Sequence, residues 1–225
     1  MIMTRIDAKK AAEFLRENDN YLILMHASPD GDTLGSGSAL CLALQRLGKR
    51  AKAVCPDNIP HRFDYLFEGI DKTDFEYENV VCVDVADTKL LGEMKSVGDT
   101  AKLVIDHHAT HREYAELAFV EPESAAACEL VYEVVKELGA ELDGTLAGCL
   151  YTGIATDTGC FKYTNVTPRT HIIAAELIEK GADFAQINYA LFVEKTRGRI
   201  MLEQKALNSV QFFADGKIAV LTVPL

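Results

Sequence analysis

Six residues of this 225-residue chain have side chains that ligate cations and stand where such side chains converge: His26, Asp30, Asp32, Asp84, His107 and Asp157. His26, Asp84 and the run Asp106-His107-His108 each close a short apolar stretch. Asp30 and Asp32 lie in the loop after the first of these, and Asp157 closes a longer helical one. Carboxylates gathered in one place repel one another and raise each other's pKa. A pair of divalent cations removes that cost, and one carboxylate bridging two ions about 3.5–4 Å apart is the usual dinuclear hydrolase arrangement. Oxygen and imidazole donors without a thiolate suit Mn²⁺, Mg²⁺, Fe²⁺ or Zn²⁺.

Taken singly, each feature has an ordinary explanation. Asp30-Gly31-Asp32 makes a solvated turn or a helix cap. Asp84 caps a following helix, a lone histidine is a half-buried residue, and Asp157 ahead of Gly159 belongs to a helix-ending turn. The joint pattern outweighs these, because three separate strands end in ligand-type residues.

The apolar runs that position these residues read as strands over Tyr21–His26, Lys52–Cys55, Val80–Asp84 and Lys102–Asp106. Three of them are continuous rather than alternating, as in strands buried on both faces. Residues 5–18 and Thr33–Leu47 read as helices, with Gly48 as the stop of the second. Strands separated by helices imply βαβ units and an α/β fold, a mainly parallel sheet flanked by helices. Ligands of such sheets bind outside the carboxyl ends of the strands, where the six residues fall. The second half reads as helical over 123–138, 145–156, 168–179 and 184–213, with stops at Gly139 and Gly181, before a strand-like run over Lys217–Val223.

Hydrophobic residues make up 48% of the chain and charged residues 25%, which excludes wholesale disorder. The net charge of -11 is a poor match for long duplex nucleic acid, which needs a basic stripe. No apolar run is long enough to span a bilayer, and the first residues lack the apolar core of a secretory signal, so no membrane partner is expected. Six scattered cysteines without a close pair read as reduced thiols, and the protein as cytoplasmic. Cys82 reads as a core thiol. His61, His111 and His171 stand in polar contexts and are assigned to the surface.

The stretch His26 to Ser36, with Asp30, Asp32 and Gly35, resembles the first motif of the DHH phosphoesterases. Asp84 resembles the second motif, Asp106-His107-His108 the signature that names the family, and Thr156 to Phe161 the fourth motif. Order and spacing agree over residues 20–190, and the nearest resemblance is to the oligoribonuclease and pAp-phosphatase branch. That resemblance implies two divalent ions, Mn²⁺ foremost. His26, Asp30 and Asp84 would hold one, and Asp32, Asp84, His107 and Asp157 the other, with Asp84 bridging. It implies two catalytic residues, His108 facing the scissile phosphate and Asp106 orienting the histidines. A hydroxide bridging the ions would attack phosphorus in line with the leaving oxygen. Gly35 and Ser36, near the start of the following helix, would add amides to substrate binding.

The resemblance implies short RNA or DNA oligonucleotides, or 3′-phosphoadenosine 5′-phosphate (pAp), as substrates; a homodimer is admitted. Residues 1–190 are expected to form the catalytic domain, 191–214 a connecting helix, and 215–225 the start of a substrate domain most of which is missing. A pyrophosphatase or cyclic-dinucleotide phosphodiesterase of the same superfamily is the alternative enzyme. A metal- or nucleotide-binding lobe with little activity alone is the alternative of another class.

Overall fold

The computed structural model describes residues 3–223. A two-residue strand, β1 (Thr4–Arg5), leads into helix α1 (Ala8–Glu17), whose first turn is capped by Asp7. Then come β2 (Tyr21–Leu24), α2 (Gly31–Arg46), β3 (Ala51–Val54), β4 (Asn79–Val83), α3 (Lys95–Gly98), β5 (Leu103–Asp106) and β6 (Leu117–Val120). Helices α4 (Ala127–Leu138), α5 (Gly144–Asp157), α6 (Pro168–Glu179) and α7 (Phe184–Asn188) follow. The remainder holds α8 (Arg197–Asn208) and the strands β7 (Gln211–Phe213) and β8 (Ile218–Val220). The chain falls into two compact units that divide between Asn188 and Tyr189.

The first unit is an α/β fold, as the alternation of strands and helices predicts. Strands β1 to β6 form one all-parallel sheet in the order β1-β6-β5-β4-β2-β3. From β2 the chain moves outward to β3, then returns to the other side of β2 as β4. The direction of winding reverses between β2 and β4, and the crevice at such a switch point is where open α/β sheets bind ligands.

Burial on both faces explains the continuous apolar runs. Leu22, Leu24, Cys82, Val104 and Ala118 pack on one face with Leu91, Ala101 and Ala115. The alternate residues Ile23, Val81, Val83 and Ile105 are equally buried. Each such aliphatic side chain contributes about 1.5–3 kcal/mol. Helix α2 is buried from Gly31 to Leu44, nearly its whole length. It packs against α5 so closely that a Cβ on Gly35 would lie 2.4 Å from the Cys149 carbonyl oxygen.

Several elements differ from those the sequence predicts. Strand β1 lies partly within the stretch expected to start α1, and β6 was not foreseen. β1 is only two residues long, and the two strands pair with each other and, for β6, with β5. Helix α4 begins at Ala127 rather than Glu123, because the chain is still extended at Ala126. The helical stretch expected over 184–213 is interrupted. A π-turn occupies Tyr189–Val193, α8 ends at Asn208, and residues 211–213 pair antiparallel with 218–220 around a turn whose Ala214, Asp215 and Gly216 all have positive φ.

Gly35 therefore reads as a packing residue. Gly35→Ala forces backbone apart at the α2–α5 contact and is expected to lower unfolding free energy by about 1–3 kcal/mol. Urea denaturation measures this, and unchanged stability would show that the two helices yield freely there.

Candidate metal centre

The carboxyl ends of β2, β4 and β5 meet the first turn of α2 and the last turn of α5. Thr33 in α2 ties two strand ends together: its hydroxyl accepts from the His26 amide at 3.2 Å and donates to the Val83 carbonyl at 3.5 Å. Asp30 is the N-cap of α2, accepting from the amides of Asp32 and Thr33 at 3.0 and 3.1 Å. It thus does the capping that its turn context predicts while facing His26 Nε2 at 3.7 Å.

Asp32 is fully buried, and its carboxylate is gripped by the first two amides of α4, Ala127 at 2.6 Å and Cys128 at 2.9 Å. An anion at a helix N-terminus meets both free amides and the favourable end of the helix dipole. Gly153 of α5 leaves the space: a Cβ there would stand 2.6 Å from Asp32 Oδ1 and 3.0 Å from its Cα. Asp84 follows β4 with a left-handed φ of 57° and an amide donated to the Ile105 carbonyl. Left-handed backbone at a non-glycine residue is costly and concentrates at functional sites.

His26 and His107 share one geometry. Each donates through Nδ1 to a backbone carbonyl, Ala27 at 2.8 Å and Ser124 at 3.2 Å respectively, which turns Nε2 toward the carboxylates. His26 Nε2 lies 3.5 Å from Asp84 Oδ2. His107 Nε2 lies 3.5 Å from Asp84 Oδ1, 3.7 Å from Asp32 and 3.4 Å from Asp157, the last residue of α5. The two oxygens of Asp84 thus face different histidines.

These residues fit a divalent cation. Asp84 Oδ1 and His107 Nε2 are buried without a hydrogen-bond partner, a costly state that an ion relieves. Three overlapping sets place their donor atoms within 4.8 Å of one another: His26, Asp30 and Asp84; Asp32, His107 and Asp157; Asp84, His107 and His108. Donors about 2.0–2.2 Å from a shared ion stand about 3–3.5 Å apart, close to the observed spacings. A ligating histidine whose other nitrogen donates to a carbonyl is the usual supporting arrangement.

Electrostatics points the same way. Burial and the charges of Asp84 and Asp157 raise Asp32 well above the usual carboxylate range. Burial, then repulsion from Asp84 and Asp30, pushes Asp157 up to about 7. Burial opposes charge on His26 and His107, but the carboxylates beside them prevail and push them up to about 11 and about 10. The site thus resists negative charge on Asp32 and Asp157 and favours positive charge on the two histidines, as a place built for a cation would.

Asp106 stands behind this cluster, fully buried, and donors hold both of its oxygens. His108 Nδ1 lies 2.8 Å from one and His111 Nδ1 2.6 Å from the other. Burial would favour its neutral form, but these two bonds hold its carboxyl well below the usual range. The sequence analysis placed His111 on the surface, and the structure corrects this: its side chain is 1% exposed. Only the chain reversal after β5 reveals it, since a single histidine in a polar stretch carries no such signal.

A cleft of about 320 Å³ opens over the cluster, lined by His26, Ala27, Asp30, Asp84, Leu90, His108 and Asp157. Gly35 and Ser36 do not reach it. Helix α2 starts at Gly31, earlier than the expected Thr33, which moves both residues into its second turn, where amides bond within the helix. Both are buried, and the Ser36 hydroxyl donates to the Thr33 carbonyl. His61 is exposed, His171 stacks on Phe161, and Cys82 lies in the core, as their contexts suggested.

Residues 20–154 match the DHH family, N-terminal domain. A Thermus thermophilus protein named bifunctional oligoribonuclease and PAP phosphatase NrnA is 31% identical over 209 residues, covering 90% of this chain and 62% of that one. A Streptococcus mutans protein named probable bifunctional oligoribonuclease and PAP phosphatase NrnA is 30% identical over 176 residues, covering 77% of this chain and 56% of that one. The chain thus spans less than two thirds of the length of these relatives. The structure of an exopolyphosphatase-related protein from Bacteroides fragilis shares the fold, with a TM-score of 0.83 at 24% identity over 95% of this chain and 68% of that one.

Mn²⁺ affinity is expected to rise with pH. A cation binds the deprotonated ligands, and with Asp157 titrating near 7, acidification from pH 8 to pH 6 should weaken binding at least about tenfold. Calorimetry in buffers of different ionisation enthalpy reads both the affinity and the released protons, and a pH-independent affinity would contradict the arrangement. Gly153→Ala, which displaces Asp32, should weaken Mn²⁺ binding by about 10- to 100-fold; equal affinity would show that Asp32 is not a ligand.

Proposed function

The chain belongs to the DHH family, and on that footing we propose that it hydrolyses phosphate esters of short oligonucleotides and of pAp, using two divalent ions. His26, Asp30 and Asp84 hold one ion, and Asp32, Asp84, His107 and Asp157 the other. The observation that carries this reading is the Asp84 carboxylate, set between the Nε2 atoms of His26 and His107 with one buried oxygen lacking any hydrogen-bond partner. Mn²⁺ is the ion the reading names, since carboxylates and imidazoles without thiolate suit it. Names of relatives supply the substrate class: both similar proteins are called oligoribonuclease and PAP phosphatase.

When bound, the ions supply positive charge for the phosphoryl oxygens and make hydroxide available near neutral pH. The chain's own residues do the rest. Asp30 and Asp32 are fixed by backbone amides and hold their carboxylates in place as ligands. His108, which lines the cleft, uses Nδ1 on Asp106 and so keeps Nε2 for a substrate oxygen. The hydrogen bond to Asp106, together with its charge, raises the pKa of His108, favouring the protonated ring that neutralises developing negative charge. Leu90 and Ala27 give the cleft an apolar wall.

The division of the chain after Asn188 supports reading residues 1–190 as the catalytic domain, ahead of a connecting segment over 191–214 and the start of a substrate domain over 215–225. Among the described residues, no helix is long and apolar enough to cross a membrane.

Hydrolysis of the dinucleotide pApA and of pAp, with Mn²⁺ and after chelation, tests this reading. Activity should require the metal, and Asp84→Asn should lower turnover by at least about 100-fold. Full turnover by that variant would overturn the mechanism, and preference for pyrophosphate over both nucleotides would reassign the substrate.

A further inference from the structure

We propose that His111 is a positioning residue, holding Asp106 in the orientation that points His108 into the cleft. This rests on the reading of His108 as the group facing the phosphate. The chain turns sharply after β5: the His111 amide donates to the His108 carbonyl at 3.1 Å, which carries the His111 ring back under Asp106. Its Nδ1 then donates to Asp106 Oδ2 at 2.6 Å, while Oδ1 takes the His108 ring at 2.8 Å and the His108 amide at 3.3 Å. The other side of the His111 ring is closed by Tyr114, at 5.3 Å between ring centroids, and Tyr114 is itself anchored by its hydroxyl to the Val85 carbonyl at 2.7 Å.

The consequence is chemical as well as mechanical. A carboxylate only accepts hydrogen bonds, so both rings must present Nδ1–H to it. The nitrogen of His108 that remains for substrate is therefore always Nε2. Asp106 is fully buried, and loss of the His111 contact leaves a charged oxygen without a partner, which the carboxylate relieves by rotating. Rotation carries Oδ1 away from Nδ1 and frees the His108 ring. His111 does not line the cleft, its ring bonds Asp106, and its amide contact with the His108 carbonyl survives substitution, so removal of the ring should spare ion binding.

Two substitutions separate positioning from simple filling of space. Phenylalanine keeps the ring volume and removes the donor, whereas asparagine places an amide nitrogen close to where Nδ1 lies. His111→Phe is expected to lower kcat on pApA by about 10- to 100-fold, with KM and calorimetric Mn²⁺ affinity changed by less than about threefold. His111→Asn should recover kcat to within about fivefold of the natural protein. Nitrogen-15 spectra of the imidazoles, taken at a pH high enough for the His108 ring to be neutral, read the ring directly: His108 should be a single Nδ1–H tautomer in the natural protein and in His111→Asn, and mixed in His111→Phe. Unchanged kcat and an unchanged His108 spectrum in His111→Phe would overturn the proposal. So would equal impairment of the two variants while both remain folded by circular dichroism. If the natural protein cleaves neither pApA nor pAp, the proposed function fails, and the imidazole spectra alone still decide whether His111 sets the His108 ring.

Discussion

A buried carboxylate oxygen without a hydrogen-bond partner is among the costliest groups a fold can carry, and the architecture of the first unit converges on one such oxygen, Asp84 Oδ1. His107 lies 3.5 Å from it, His26 faces the other oxygen of the same carboxylate, and Asp32 and Asp157 face His107; all four are shifted in pKa by burial and by their neighbours. The carboxylates and imidazoles meet with Asp84 Oδ1 and His107 Nε2 left without a hydrogen-bond partner. A divalent cation satisfies both, because it replaces several protons with concentrated charge and accepts lone pairs from every side.

The sheet's winding makes this convergence possible. Placing β3 and β4 on opposite sides of β2 opens the crevice between the ends of β2 and β4, and His26 and Asp84 lie at its two lips. Helix termini supply the remaining precision. The start of α2 presents Asp30 and Asp32, the start of α4 grips Asp32 with two amides, and the end of α5 delivers Asp157. The close contact of α2 with α5 is thus part of the site: with side chains in place of Gly35 and Gly153, the backbone of α2 could not bring Asp32 to its position.

Behind the cluster, Asp106 works in the opposite sense. Its two oxygens are both satisfied, by His108 and His111, and its charge is stabilised rather than frustrated. The frustrated carboxylate and the satisfied one follow consecutive strands, β4 and β5, which are also neighbours in the sheet.

Much of this was legible in the residues themselves. Continuous apolar runs announced strands buried on both faces, and their endings announced a ligand-bearing rim, because burial demands apolar side chains along the strand and leaves polar ones only where it stops. Turn and cap chemistry likewise put Gly139 at a helix end, since that left-handed conformation depends on local backbone, whereas Asp30, read as loop, proved to be the cap of a helix that starts two residues earlier than expected. What the tertiary structure decided depends on distance across the chain. Strands β1 and β6 exist through pairing, Gly35 is a packing residue because α5 lies against it, Ser36 spends its hydroxyl within α2, and His111 belongs under Asp106 because the chain reverses there. Residue type and order determine which groups are available, but only the packed fold sets which buried oxygen is left without a donor, because that is a property of all its neighbours at once.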